Sequence, residues 1–186
     1  MKIKDIVKIT ATSLGREDVY NYLNSSETTA NQEVALAVDL LVRLTNLVIS
    51  ELSSTYIPVV KIEPINAKNG KVYYAELSER ALKIKRVLDS IGNSVEFTVD
   101  VEYFTVKGNA KQVEYEYLPS NYGLEEEIGY TEKDLPIRVL SYGVCAEYCI
   151  CEGQFNQAVM WHKRYADGVA EICLPKSKRI KERSWL

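Results

Sequence analysis

The spacing of apolar residues changes twice along the chain, from a helical period to an alternating period near Tyr56 and back to a helical period near Asp134. Apolar residues that recur every three or four positions predict helices with one buried face, whereas alternation predicts strands. The pattern predicts a helical body formed by residues 1–55 and 134–175, an inserted β module at 56–118, an acidic loop at 119–133 and a basic tail at 176–186.

Three helices are predicted before the first change of period. A short helix begins near Ile3 and ends at Gly15, and a second runs from Arg16 to Leu23. The third and longest spans residues 31–53 and has a continuous apolar stripe. The stripe consists of Val34, Ala37, Val38, Leu41, Leu44, Val48 and Leu52.

Alternation and turn signals dominate the middle of the chain. Four apolar residues at every second position, with polar residues between them, predict a strand with one buried face. They are Val95, Phe97, Val99 and Val101. Asn69-Gly70 predicts a two-residue hairpin turn, because both turn positions need a positive φ. We expect a small antiparallel sheet or sandwich here.

A helical hairpin is predicted for residues 134–174. Asp134 is a suitable N-cap with Pro136 in the first turn, and Gly153 separates the two helices. The predicted buried stripe of the first helix is Val139, Tyr142, Ala146, Cys149 and Ile150. That of the second is Phe155, Ala158, Val159, His162, Ala166, Val169 and Cys173. The expected fold class is therefore α+β, mainly an α-helical bundle with an inserted antiparallel β module and a basic C-terminal tail.

Composition places the chain among ordinary folded proteins, with 46% hydrophobic and 26% charged residues. No apolar run approaches the roughly 20 residues that span a bilayer, so we expect assembly in the cytoplasm and no membrane partner. The net charge of −3 argues against a general nucleic-acid binder. The charge is uneven, since the tail carries +4 and the remainder −7.

Candidate catalytic chemistry is sparse. Cys145, Cys149 and Cys151 with His162 could be considered as a metal site, but a C-x3-C-x-C run within one helix points Cys151 away from the other two. His162 is the sole histidine, and a Cys149–His162 pair remains open as a nucleophile and base. No phosphate-binding, dinucleotide-binding, hydrolase or zincin motif occurs. We expect no catalytic, cofactor or metal site.

Two features favour binding to other proteins. Eight of the thirteen tyrosines lie between Tyr56 and Tyr130, and tyrosine is enriched at protein interfaces. The tail ends in an apolar pair after a basic run, which predicts docking on an acidic partner surface with the tryptophan as anchor. The predicted partner-binding residues are Lys176, Lys178, Arg179, Lys181, Arg183, Trp185 and Leu186.

The order of elements resembles that of tailed-phage head-tail connector proteins, the adaptor or neck proteins that dock under the portal. Tyr148–Tyr165 (YCICEGQFNQAVMWHKRY) looks like their short-turned C-terminal hairpin, and Ile84–Gly92 (IKRVLDSIG) looks like a strand and turn of their insertion. The resemblance implies a structural virion protein located in the neck. It would form a ring, a dodecamer in that family, with portal and tail or stopper proteins as partners and DNA passing through without specific binding.

Two alternatives remain open from the residues. One is a cytoplasmic binding module whose tyrosine-rich sheet recognises a ligand or peptide. The other is a small enzyme that uses Cys149 or His162.

Overall fold

The computed structural model describes residues 1–25 and 31–174. Within these ranges the helices are α1 (Ile3–Leu14), α2 (Glu17–Asn24), α3 (Gln32–Glu51), α4 (Ile137–Cys151) and α5 (Phe155–Cys173). The strands are β1 (Val59–Pro64), β2 (Lys71–Tyr73), β3 (Arg80–Leu88), β4 (Ser94–Val95), β5 (Phe97–Val99), β6 (Tyr103–Val106) and β7 (Gln112–Leu118). A π-helical turn (Leu52–Tyr56) follows α3, and a 3-10 turn (Tyr74–Glu76) follows β2.

Helix α4 is the centre of the helical layer, and α1, α3 and α5 pack around it. Its sequence is apolar on nearly every side, as expected for a helix enclosed by others. The buried residues of α4 are Leu140, Ser141, Gly143, Val144, Cys145, Ala146, Tyr148 and Cys149. The predicted stripe was too narrow and partly misplaced, since Ile150 is exposed and Leu140 and Val144 are fully buried. The helix begins at Ile137, after Pro136, while Asp134 instead accepts a hydrogen bond from the Thr131 hydroxyl.

The strands form two antiparallel sheets. The four-stranded sheet has the order β1-β7-β3-β4, and the three-stranded sheet has the order β2-β6-β5. Two register shifts interrupt the pairing of β3 with β7, between Ala81 and Lys83 and between Ile84 and Arg86. Buried side chains from both sheets form a separate hydrophobic core, which consists of Val72, Ile84, Val87, Phe104, Val106, Ala110, Val113 and Tyr115.

Asn69-Gly70 forms the predicted turn, but the turn does not join β1 and β2 into a hairpin. Both residues have positive φ, 54° and 74°, as the sequence indicates. The strands on either side, β1 and β2, nevertheless belong to different sheets, so no β1–β2 hairpin forms. Only the local pair Lys68 and Lys71 is bridged across the turn. The dipeptide fixes the turn, while the partner of each strand is set by burial of its side chains.

The predicted α+β class is broadly consistent with the structure, but its description as mainly an α-helical bundle with one inserted β module is wrong. The chain is α+β, with five helices and two antiparallel sheets in its described part. The strands are not a separate insertion, because Val59 of β1 is buried in the helical core and half-buried Tyr117 of β7 contacts both cores. Ile128 and Tyr130 of the loop before α4 are also buried in the helical core. Periodicity alone could not reveal these contacts, since they join residues far apart in sequence.

The segment 119–133 packs along the start of α1. The Lys4 amide donates to the Leu124 carbonyl at 2.9 Å, and the Ile128 amide donates to the Met1 carbonyl at 3.0 Å. The Lys4 ammonium also lies 2.8 Å from a Glu125 carboxylate oxygen. Backbone bonds to α1 therefore hold this acidic stretch in place.

Tyrosine phenols line the junction between the sheet and the helices. Burial raises the pKa of Tyr117 to about 12, and it raises the pKa of Tyr122 and Tyr130 as well. The Tyr130 hydroxyl donates to the Ile57 carbonyl at 2.6 Å. The folded state therefore favours the neutral form of these phenols.

We expect the protein to lose stability in alkali as a result. A phenol whose pKa is raised on folding contributes stability that is complete below its unfolded pKa of about 10 and is lost as pH rises through its folded value. The urea concentration at which half of the protein is unfolded should therefore decrease as the pH is raised from about 9 to about 12. The fall should be shallower in Tyr117→Phe, which lacks one of the groups. An unchanged midpoint across this range would contradict the assignment.

Candidate functional site

Helix α5 has a second apolar face, which points away from α4. Only Ala158, Tyr165 and Val169 of this helix are buried. The residues on the other side recur at intervals of three or four and so lie on one line along the helix. This α5 outer face consists of Phe155, Val159, His162, Ala166, Ala170 and Cys173, all of them exposed.

The two largest apolar residues of the α5 outer face are unusually exposed. Phe155 is 66% exposed and Val159 is 70% exposed, and Met160 beside them is exposed too. The sequence pattern placed Phe155, Val159, His162, Ala166 and Cys173 in one buried stripe with Ala158 and Val169. The structure separates the two groups, because the predicted stripe covers more of the helix circumference than one neighbouring helix can bury. Apolar residues that adjoin one another on the surface, unlike isolated ones, are typical of binding surfaces.

Helix α3 carries an outer face of its own. It consists of Leu36, Leu40, Arg43 and Leu47, at intervals of four, three and four residues. Leu36 is 61% exposed and Leu47 is 54% exposed. Arg43 pairs with Asp39 at 2.8 Å, an exposed ion pair that contributes little to stability. This face was not predicted, although Leu36, Leu40 and Leu47 recur at helical spacing outside the predicted stripe and could have indicated it.

A shallow groove runs beside Leu47, between α3 and the loop that follows β7. Val42, Asn46 and Tyr122 contribute to its walls. Asn46 fixes the loop to the helix, since its Nδ2 donates to the Tyr122 carbonyl at 2.9 Å and its Oδ1 accepts from the Tyr122 amide at 2.7 Å. The groove thus has two rigidly connected walls and an apolar rim.

The cysteines and the histidine do not assemble into a reactive site. Burial raises the pKa of the Cys145 thiol to about 12 and also raises that of Cys149, which keeps both as neutral thiols. Cys149 is fully buried, whereas His162 is exposed on the α5 outer face. Cys151 and Cys173 are exposed and not disulfide-bonded. Across the part of the chain that the structure describes, no three His, Cys, Asp or Glu side chains are grouped to hold a metal ion.

Five of the eight tyrosines expected to form an interaction surface pack in or against the two cores, and Tyr56 and Tyr73 are exposed. Tyr115 and Tyr130 are buried, and Tyr117 and Tyr122 are half-buried. Tyr73 remains partly exposed and stacks edge-on against Tyr103, with ring centroids 5.6 Å apart. Most of these residues therefore fill cores.

The predicted tail site, from Lys176 to Leu186, lies outside the described residues.

Among residues 1–25 and 31–174, no helix combines the length and the apolar character that crossing a bilayer requires. The sequence matches no protein-family model and no curated protein.

Proposed function

We propose that this protein is a non-enzymatic structural virion protein, a head-tail adaptor that docks on the portal as a ring and extends the DNA channel to the tail. The observation that carries the proposal is the presence of two different exposed apolar faces, one on α3 and one on α5. When the α5 face of one copy binds the α3 face of the next, the row of copies has a free α3 face at one end and a free α5 face at the other. Such a contact propagates from copy to copy, and it closes into a ring when the rotation between neighbours brings the last copy back to the first.

In the ring contact we propose, the α5 outer face of one copy packs on the α3 outer face of the next. Phe155 is the projecting side chain, and the groove beside Leu47 receives it. A buried aromatic anchor in a pocket is the usual source of binding energy at such interfaces. Ala166 and Ala170, farther along the same face of α5, are small enough to let the helices approach.

Charge supports passage of DNA through the ring. The chain has a net charge of −3, and proteins that hold DNA do so mainly through cationic contacts to phosphates. An overall acidic chain suits the proposed channel, because it offers few cationic contacts that would hold DNA. The basic segment 176–186 is the part that would bind the portal, with Trp185 as its anchor.

The decisive experiment is a mixing test with two variants. One carries Phe155→Glu and Val159→Glu and so loses the α5 outer face, and the other carries Leu36→Glu and Leu47→Glu and so loses the α3 outer face. Each alone should remain monomeric, with and without the portal protein, under conditions in which the native chain forms a ring. Mixed together they should form a one-to-one complex and nothing larger, because one intact face of each kind is present. Mass photometry or analytical ultracentrifugation measures both results.

The control is Ile91→Glu, which places the same charge at another highly exposed apolar residue and should leave assembly unchanged. If the variant with Leu36→Glu and Leu47→Glu formed dimers with itself, the α5 outer face would bind another α5 outer face. That result would contradict the ring contact. A native chain that stays monomeric with the portal protein present would contradict the adaptor function and favour a binding module.

A further inference from the structure

The two sheets leave an open seam between β3 and β5. Strand β4 covers only the end of β3, where it pairs with Val87 and Leu88. The chain then leaves this sheet at Glu96 and enters the other sheet as β5, which pairs only with β6. Among the strands of residues 1–25 and 31–174, residues 80–86 of β3 therefore have a partner on one side alone, and β5 also pairs on one side alone.

A groove of about 710 Å³ lies along this seam. Its walls come from the free side of β3 and from β5 and the turn after it, with Tyr74 and Ala75 at one end. Its volume is in the range of ordinary ligand sites. Unpaired backbone groups along a strand edge can bond to an added strand, the arrangement known as β-augmentation.

The side chains in the groove are of two kinds. Leu82, Val99 and Val101 are exposed apolar residues. Arg80 and Lys83 are cationic, and neither is in an ion pair with any residue of the described ranges. The neighbouring cations Lys85 and Arg86 differ, since they pair with Glu116 and Glu114 of β7. In the β3–β7 register Arg80 lies opposite Leu118, and Lys83 lies opposite Glu116 without forming an ion pair with it. Two cations that form no ion pair, flanked by apolar side chains, are complementary to an acidic and apolar segment.

We propose that this groove binds a short extended segment of a partner protein in which branched apolar residues alternate with acidic ones. The segment adds a strand to the free side of β3, directs its carboxylates at Arg80 and Lys83, and covers Leu82, Val99 and Val101. The two register shifts of β3 twist its edge and limit pairing to a few residues. They also protect the edge from pairing with any chance strand, so the side chains supply the selectivity.

The site is separate from the ring contact, because it lies between β3 and β5 and shares no residue with either helix face. An experiment can therefore contradict peptide binding in the groove without contradicting the proposed adaptor function, and the reverse. Groove variants should assemble with the portal as the native chain does.

The test is binding of an array of peptides of about eight residues, the length of an ordinary strand, that alternate apolar residues with Glu, Lys or Ser. The full-length protein should retain the Glu set and not the Lys or Ser sets. Arg80→Glu with Lys83→Glu should weaken the Glu set about tenfold or more and favour the Lys set. Lys133→Glu, a single charge reversal at an exposed lysine elsewhere, should have no effect.

Two further measurements separate strand addition from simple charge attraction. The Glu peptides should slow amide hydrogen exchange within residues 80–86, and N-methylation of alternate peptide amides should abolish binding. Retention of no set, or equal retention of the Glu set by the double variant, overturns the proposal. Self-association that the Glu peptides reverse would also overturn it, since a second copy would then be the occupant.

Discussion

Replacing Tyr130 by alanine is expected to lower the free energy of unfolding by about 3–5 kcal/mol, the usual cost of removing a buried aromatic ring. Tyr130 is only 4% exposed and lies in the helical core, where the loop before α4 meets the end of the α3 region. Its hydroxyl satisfies the Ile57 carbonyl, just before β1 begins. The truncation thus leaves a cavity and an unpaired carbonyl where sheet and helices join. Urea denaturation followed by circular dichroism measures the loss.

Tyr130→Phe is the matched control, because it keeps the ring and removes only the hydroxyl. Its cost should be about 1–2 kcal/mol, that of one hydrogen bond to a buried carbonyl. Equal losses in the two variants would mean that the hydrogen bond, rather than packing, dominates at this position. A loss below about 1 kcal/mol in the alanine variant would contradict the role of Tyr130 at the junction.

Replacing Gly143 by leucine is expected to lower the free energy of unfolding by about 3 kcal/mol or more, because it overpacks the contact of three helices. A Cβ added at Gly143 of α4 would lie 2.8 Å from Val48 Cγ1 of α3 and 3.0 Å from the Tyr165 ring of α5. Both neighbours are buried, so neither can move into solvent. The variant should either separate α4 from its partners or fail to fold. Thermal and urea denaturation test this.

Gly143→Ala keeps the result interpretable if the leucine variant does not fold. Its methyl group has the same close contacts, but alanine favours the helix by about 1 kcal/mol relative to glycine, so the net loss should be small. Ala35→Leu, at an exposed position of α3, should change stability by less than about 0.5 kcal/mol. A leucine variant at Gly143 as stable as the native chain would show that the helices are not in close contact there.

The long helix α3 shows how far periodicity reaches. Its apolar stripe predicts a helix over residues 31–53, and the structure confirms a helix at Gln32–Glu51. The N-cap is Asn31, whereas the sequence suggested Thr28 or Thr29, which lie outside the described residues. The stripe is regular and its centre, from Leu41 to Val48, is buried as expected. A helix that buries one face can be predicted in this way, because its period depends only on local geometry.

The C-terminal hairpin shows the limit. Its two helices and the turn at Gly153 follow the sequence, with φ of 72° at that glycine. The predicted buried faces differ from those in the structure, because both helices are apolar over more than one face. Which face becomes buried depends on the neighbours: α4 is enclosed by three helices, whereas α5 packs mainly on α4. The exposed α5 face, the main part of the proposed ring contact, therefore emerged only from the structure.

The single strand predicted from Val95, Phe97, Val99 and Val101 is wrong, because β4 and β5 divide it between two sheets and Val99 and Val101 are exposed. The sequence by itself determined other local features: the helices, the left-handed turn at Asn69-Gly70 and the acidic charge outside the tail. These depend on neighbouring residues, whose propensities and spacing are visible in one segment. Only the tertiary structure decided the strand partners, the two sheets in place of one module, and the apolar faces left in contact with water. Those features depend on contacts between residues such as Tyr130 and Ile57, which are far apart in sequence and adjacent only in the fold.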